Sequence, residues 1–157
     1  MNTIKKQRIY IDTSVIGGYF DDEFKDATQL LFEKFKSGEC TLVYSEVSEE
    51  ELFEAPEKVR ELIKSLPKDH VEYVELSDEA IMLANTNISE NVVGKTSRTD
   101  CMHIAVATIS NVDILVSWNF KHIVNINRIR GYNGINMLNG YPSVEIRSPL
   151  EILSYEE

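Results

Sequence analysis

The sequence predicts an α/β domain built on a mainly parallel sheet, and three observations carry that prediction. Short β-rich runs alternate with longer segments of helical periodicity, as βα units require. The chain has 157 residues, enough for one domain with a sizeable core, and shows no repeat, linker or low-complexity tract. Its four prolines, Pro56, Pro67, Pro142 and Pro149, fall where turns are expected. A single domain over 1–157 follows.

Ile9-Tyr10-Ile11 is a short apolar run ended by Asp12, and Thr13 to Ile16 then reads as the opening of a helix or loop. Phe24, Ala27, Leu30, Leu31 and Phe35 recur at i, i+3, i+4 spacing and predict a helix that stops at Ser37-Gly38. A second strand, Thr41 to Tyr44, leads into the acidic stretch Glu49-Glu50-Glu51 on a short helix. Glu57 to Leu66 and Asp78 to Ile88 have helical patterns, with a strand from Val71 to Leu76 between them. Ser97 to Ser110 is apolar almost all round and predicts a buried helix, in which Asp100 and His103 share one face. Ile114 to Val116 is the fourth strand. A helix over Asn125 to Asn139, a last strand at Val144 to Ile146 and a terminal helix from Pro149 to Ser154 complete the reading.

Two cysteines, Cys40 and Cys101, lie in neither a CxxC pair nor a zinc-ligand spacing, so no disulfide framework or structural zinc is expected. No secretory h-region and no apolar stretch of about 18 residues is present. The expectation is a soluble cytoplasmic protein with no membrane association. Sixteen basic against 26 acidic residues give a net charge of −10. A nucleic-acid binder usually carries a basic footprint, so this charge argues against one unless cations cover the acids or a local basic strip exists. It equally favours a basic protein partner.

Asp12 stands beyond the carboxyl end of the first strand, where open parallel sheets gather functional groups. It also suits a helix N-cap. Glu51 suits a solvated helical face as well as a site, and Asp100 could close a capping box with Ser97. His103 is either a satisfied core histidine or a group that orients a nearby carboxylate. Taken together, an acid after the first strand, one on the next helix and one opening a buried helix can converge at one sheet edge. Clustered carboxylates repel unless a cation neutralises them, and hard oxygen donors select Mg²⁺ or Mn²⁺. Such a site can hydrolyse phosphodiesters.

Four segments carry a family resemblance. Ile9-Tyr10-Ile11-Asp12-Thr13-Ser14-Val15 resembles the opening motif of PIN domains. Tyr44-Ser45 followed six positions later by Glu51-Leu52 is similar to their second motif, which is why Glu51 is chosen among its neighbours. Arg98-Thr99-Asp100, continued by His103-Ile104-Ala105, resembles the third, and Ile114 to His122 the fourth. The resemblance covers about residues 8 to 125 and points to the stand-alone, VapC-like bacterial toxins. It implies a three-layer α/β/α sandwich with a mainly parallel central sheet and Mg²⁺- or Mn²⁺-dependent cleavage of single-stranded RNA. It also implies an antitoxin partner and a homodimer. Asp12, Glu51 and Asp100 become the expected catalytic and metal-binding residues, with Ser14 and His103 behind them.

The chain departs from that pattern at Asn119, where the family usually carries a fourth acid; an amide oxygen there can still bind a divalent cation. A weaker expectation places Lys95, Arg98, Lys121, Arg128 and Arg130 on RNA phosphates, with Tyr132 stacking on a base. Trp118 is expected in the core. Two competing functions remain: a catalytically silent PIN domain that binds RNA or protein, and a phosphoaspartate phosphatase or receiver. The latter fits poorly, because Ser14 stands where the phosphatase motif needs a second Asp.

Overall fold

The computed structural model describes residues 5–90 and 98–154. Its element order begins with strand β1 (Gln7–Ile11), helices α1 (Thr13–Gly18) and α2 (Lys25–Ser37), strand β2 (Cys40–Ser45) and helices α3 (Glu46–Leu52) and α4 (Glu57–Glu61). Strand β3 (Val71–Val74), helices α5 (Asp78–Ser89) and α6 (Arg98–Ile109) and strand β4 (Ile114–Val116) follow. Helix α7 (Ile126–Leu138), strand β5 (Glu145–Arg147) and helix α8 (Pro149–Ser154) complete the order. All five strands are parallel, in the order β3-β2-β1-β4-β5.

Side chains alternate across the strands, so each face of the sheet builds its own core. Tyr10, Val43, Leu115 and Ile146 point to one face and pack against α5, α6 and α7, among them Leu83, Ile104 and Ile135. Ile9, Ile11, Leu42, Ile114 and Val116 point to the other and meet α1 and α2 through Val15, Ile16, Leu31 and Phe35. The result is the three-layer α/β/α sandwich with a parallel centre. Among the described residues no helix is long and apolar enough to cross a membrane.

Local chemistry sets most element ends. Ser77 caps α5 by accepting from the Ala80 N–H, and Asn125 caps α7 by accepting from Asn127 and Arg128. Helix α2 ends at Gly38, whose left-handed backbone (φ 82°) suits glycine. The expected helix from Glu57 to Leu66 is not continuous: α4 stops at Glu61 and a 3-10 turn spans Ile63–Ser65. Leu66 precedes Pro67 and is extended (ψ 152°), as the residue before a proline prefers. The expected strand to Leu76 stops two residues earlier, at Val74.

One close approach in the second core bears on the site. A Cβ at Gly18 would lie 2.8 Å from Trp118 Nε1 and 3.0 Å from Thr28 Oγ1, while the indole N–H donates to that same hydroxyl at 2.9 Å. Gly18→Ala should therefore destabilise the protein by about 1–3 kcal/mol through overpacking. Urea unfolding measures this, and a change under about 0.5 kcal/mol would show that the indole yields without cost.

Candidate functional site

Strands β2 and β3 lie on one side of β1, and β4 and β5 on the other, so the strand order reverses between β1 and β4. Open parallel sheets bind ligands at that switch, outside the carboxyl ends. Asp12 leaves β1 there, with its N–H still on the ladder to the Val116 carbonyl at 3.3 Å. Its side chain is 4% exposed and accepts from the Ser14 hydroxyl on Oδ1 and the Ser117 hydroxyl on Oδ2, each at 2.6 Å. The Val15 N–H also reaches Oδ1, at 3.3 Å, so Asp12 is the N-cap of α1 as well. Each serine in turn accepts a backbone N–H from the turn after β4, Trp118 to Ser14 and Asn119 to Ser117, both at 2.9 Å. Burial raises the Asp12 carboxyl above the ordinary aspartate range. A protonated His103 and the bonds from Ser117, Ser14 and Val15 pull against that rise.

Glu51, near the end of α3, reaches the same edge. Its Oε1 accepts from Thr13 Oγ1 and from His103 Nε2, both at 2.6 Å. Burial alone would raise its carboxyl, and those two hydrogen bonds together with the charge of a protonated His103 outweigh it and hold the group below the usual glutamate value. His103 is buried on α6, and its Nδ1 lies 2.6 Å from the Tyr10 hydroxyl, which lies 2.7 Å from Ser45 Oγ. A carboxylate only accepts, so Nε2–H donates to Glu51; Nδ1 accepts from Tyr10 or, when protonated, donates to it. The four side chains form one connected line from the sheet to the carboxylate.

The structure thus joins Asp12, Ser14, Glu51 and His103 around one carboxyl edge. Asp100 lies in the first turn of α6, three residues before His103, and its charge acts on Cys101 and Tyr132. Asn119 follows β4, and its Oδ1 accepts from the His122 N–H at 3.0 Å, closing the turn. Among the described residues no three acid, histidine or cysteine side chains stand together as a ready metal cage. Arg98 is exposed at the start of α6 and Arg130 along α7, Arg128 is half-buried on α7, and Lys121 is exposed in the turn after β4. Lys95 and Ser97 lie outside the described residues.

Tyr132 corrects an expectation. It is fully buried, with its hydroxyl donating to the His122 carbonyl at 3.0 Å, and cannot stack on a base. Its place at the middle of α7 faces the core, which the basic residues around it concealed. Trp118 is in the core as expected, stacked on Phe24 at 4.4 Å. Tyr10, Thr13, Ser45 and Ser117 join the site unexpectedly, although a tyrosine inside an apolar strand and a serine at the end of β2 and just after β4 are visible signals. A separate cavity of about 350 Å³ lies at the opposite, amino edge, lined by Gln7, Lys34, Cys40 and Arg147. Its cations are already ion-paired, Lys34 with Glu39 at 3.0 Å and Arg147 with Glu145 at 3.1 Å.

No protein-family model matches the chain, and no curated protein matches it by sequence. Solved structures do. VapBC2 from Rickettsia felis, bound to a DNA fragment from its promoter, is similar at TM-score 0.58 and 14% identity, covering 90% of this chain and 98% of that one. DNA-bound VapBC from Salmonella typhimurium gives 0.59 and 13%, covering 91% and 98%. VapC20 from Mycobacterium tuberculosis, a Sarcin-Ricin loop cleaving toxin, gives 0.57 and 12%, covering 72% and 91%. The chain has the VapC-like PIN-domain fold.

The line from Ser45 to Glu51 predicts a stability effect at its centre. Tyr10→Phe keeps the buried ring and removes only the hydroxyl, leaving His103 Nδ1 and Ser45 Oγ without that partner in a dry core. The loss should be about 1–3 kcal/mol in urea unfolding. No loss would mean that the bond is not made in solution.

Proposed function

We propose that this chain is an endoribonuclease that hydrolyses phosphodiester bonds of single-stranded RNA, as the toxin of a toxin-antitoxin pair. The observation that carries the reading is Asp12, a buried carboxylate at the switch point of the sheet, with Glu51 and His103 beside it. Capping occupies one oxygen of Asp12, on the Val15 N–H, and does not account for burying a whole carboxyl, which is costly, at that edge. The fold is that of the VapBC structures, one of whose relatives is described as cleaving the Sarcin-Ricin loop.

The donor chemistry of the edge fits Mg²⁺ or Mn²⁺. Both take oxygen ligands, and Mg²⁺ keeps several waters and commonly uses one or two carboxylates, so Asp12 and Glu51 suffice as anchors, with Asp100 and the Asn119 oxygen further donors. What a bound divalent ion supplies is Lewis acidity and positive charge for phosphodiester hydrolysis. The chain's own part is orientation. Ser14 and Ser117 fix both oxygens of Asp12, while Thr13 and His103 fix one oxygen of Glu51 and leave the other open. Lys121, Arg98, Arg128 and Arg130 supply what local positive charge the substrate meets. The acidic surface suits a basic antitoxin, and a homodimer is the accompanying proposal on the partner side.

A second reading, a catalytically silent RNA- or protein-binding module, is favoured by one observation: residue 119 is a neutral amide, whose oxygen already accepts from the His122 N–H. Cleavage of single-stranded RNA that requires Mn²⁺ and stops with EDTA separates the two.

Asp12→Asn should reduce that cleavage by more than about 100-fold, beyond the usual effect of disturbing a group behind a metal ligand. The metal-free protein should melt at the same temperature or higher, because a neutral amide removes the burial penalty and its N–H can donate to a serine oxygen. Retained cleavage would remove Asp12 from the site; an unfolded variant would make it structural.

Asn119→Asp keeps the oxygen that closes the turn and adds one charge. Calorimetry should show Mn²⁺ binding about tenfold tighter. Its melting temperature should rise more with metal than that of the wild type. Equal affinity would place residue 119 outside any metal site.

A further inference from the structure

Phe120 is 48% exposed immediately after Asn119, in the turn tied to Asp12 through the Asn119 N–H, Ser117 Oγ and the carboxylate. Its ring is held from beneath. It packs edge-on against Trp118 at 6.1 Å and 63°, Trp118 stacks on Phe24 at 4.4 Å, and the indole N–H is fixed on Thr28. The Phe120 N–H bonds the Trp118 carbonyl at 3.0 Å, which pins the backbone as well. An aromatic face is therefore presented beside the carboxyl edge on a rigid base, and the exposed Lys121 follows it in the chain.

The charge of the molecule gives that face a purpose. At a net −10, long-range attraction for a polyanion is unfavourable. Binding of a single strand must then lean on a contribution that needs no counterion release. Base stacking on an aromatic ring is such a contribution, and it accepts any base. Tyr132 cannot provide it, being buried.

We infer that Phe120 is the stacking platform for an unpaired base of the RNA substrate, next to the Asp12 edge, with Lys121 on the neighbouring phosphate. This rests on the single-strand reading above and adds where a base is held.

The test is binding of a fluorescein-labelled single-stranded oligoadenylate to metal-free protein in EDTA, by anisotropy, for wild type, Phe120→Leu and Phe120→Trp. A parallel titration uses an abasic oligomer of the same length and charge. The half-exposed position makes both variants foldable, which circular dichroism checks. Oligoadenylate should bind Phe120→Leu about tenfold more weakly than wild type and Phe120→Trp at least as tightly, the range stacking on one base supplies. The abasic oligomer should bind all three alike. Wild-type binding that is unchanged in Phe120→Leu overturns the platform alone, whereas a wild type that binds no single strand, either in EDTA or with Ca²⁺ added to cover the carboxylates, overturns the RNA reading and the platform with it.

Discussion

The structure depends most on one buried polar group, the Asp12 carboxyl, and on the hydrogen bonds that meet it. Removing an ionised group from water is costly unless donors meet its oxygens. Here Ser14 meets one and Ser117 the other, and each serine is itself anchored by a backbone N–H of the turn after β4. The carboxylate thereby ties the end of β1, the start of α1 and the end of β4 into one unit. The gap where the strand order reverses, which would otherwise be an open crevice, becomes a rigid polar floor.

A second polar line crosses the other core. Tyr10 points to the face opposite Ile9 and Ile11, so its hydroxyl is delivered between Ser45 and His103 under α6. His103 then holds Glu51 from below while Thr13 holds it from the side. The two lines belong to different layers and meet because Thr13 follows Asp12 directly. Adjacent carboxylates would repel, and the arrangement answers with uncharged donors on Asp12 and an imidazole on Glu51. Asp12 is left with a raised carboxyl because its burial outweighs its donors, and Glu51 with a lowered one because His103 and Thr13 outweigh its lesser burial.

Similarity to the VapBC and VapC20 structures at 12–14% identity shows how little of a sequence such a fold needs. Apolar runs of the right length, alternation across a parallel sheet and a helix that is buried all round specify the layers. They leave the chemistry of the edge free to vary. That is why the functional reading rests on Asp12 and its neighbours rather than on the fold.

The sequence by itself determined the layers. Periodicity located all five strands and placed α2, α5, α6 and α7 to within a few residues, because amphipathic and all-apolar patterns are local properties. The chain order of Asp12, Glu51, Asp100 and Asn119 along the elements was also legible, through the resemblance of four segments. Other features had no local signal. The helix expected through Leu66 stops at Glu61 and gives way to a 3-10 turn, although its apolar pattern runs on through Leu62, Ile63 and Leu66 into the core. Tyr132 and Phe120, both aromatic among basic residues, had opposite fates: the first went to the core and the second to the surface. Only the tertiary structure decided the partner of each polar group. Asp12 and Ser117 are 105 residues apart and Tyr10 and His103 are 93 apart. Such pairs exist because strand order and the face each strand presents bring them together, and neither is written in the spacing of residues along the chain.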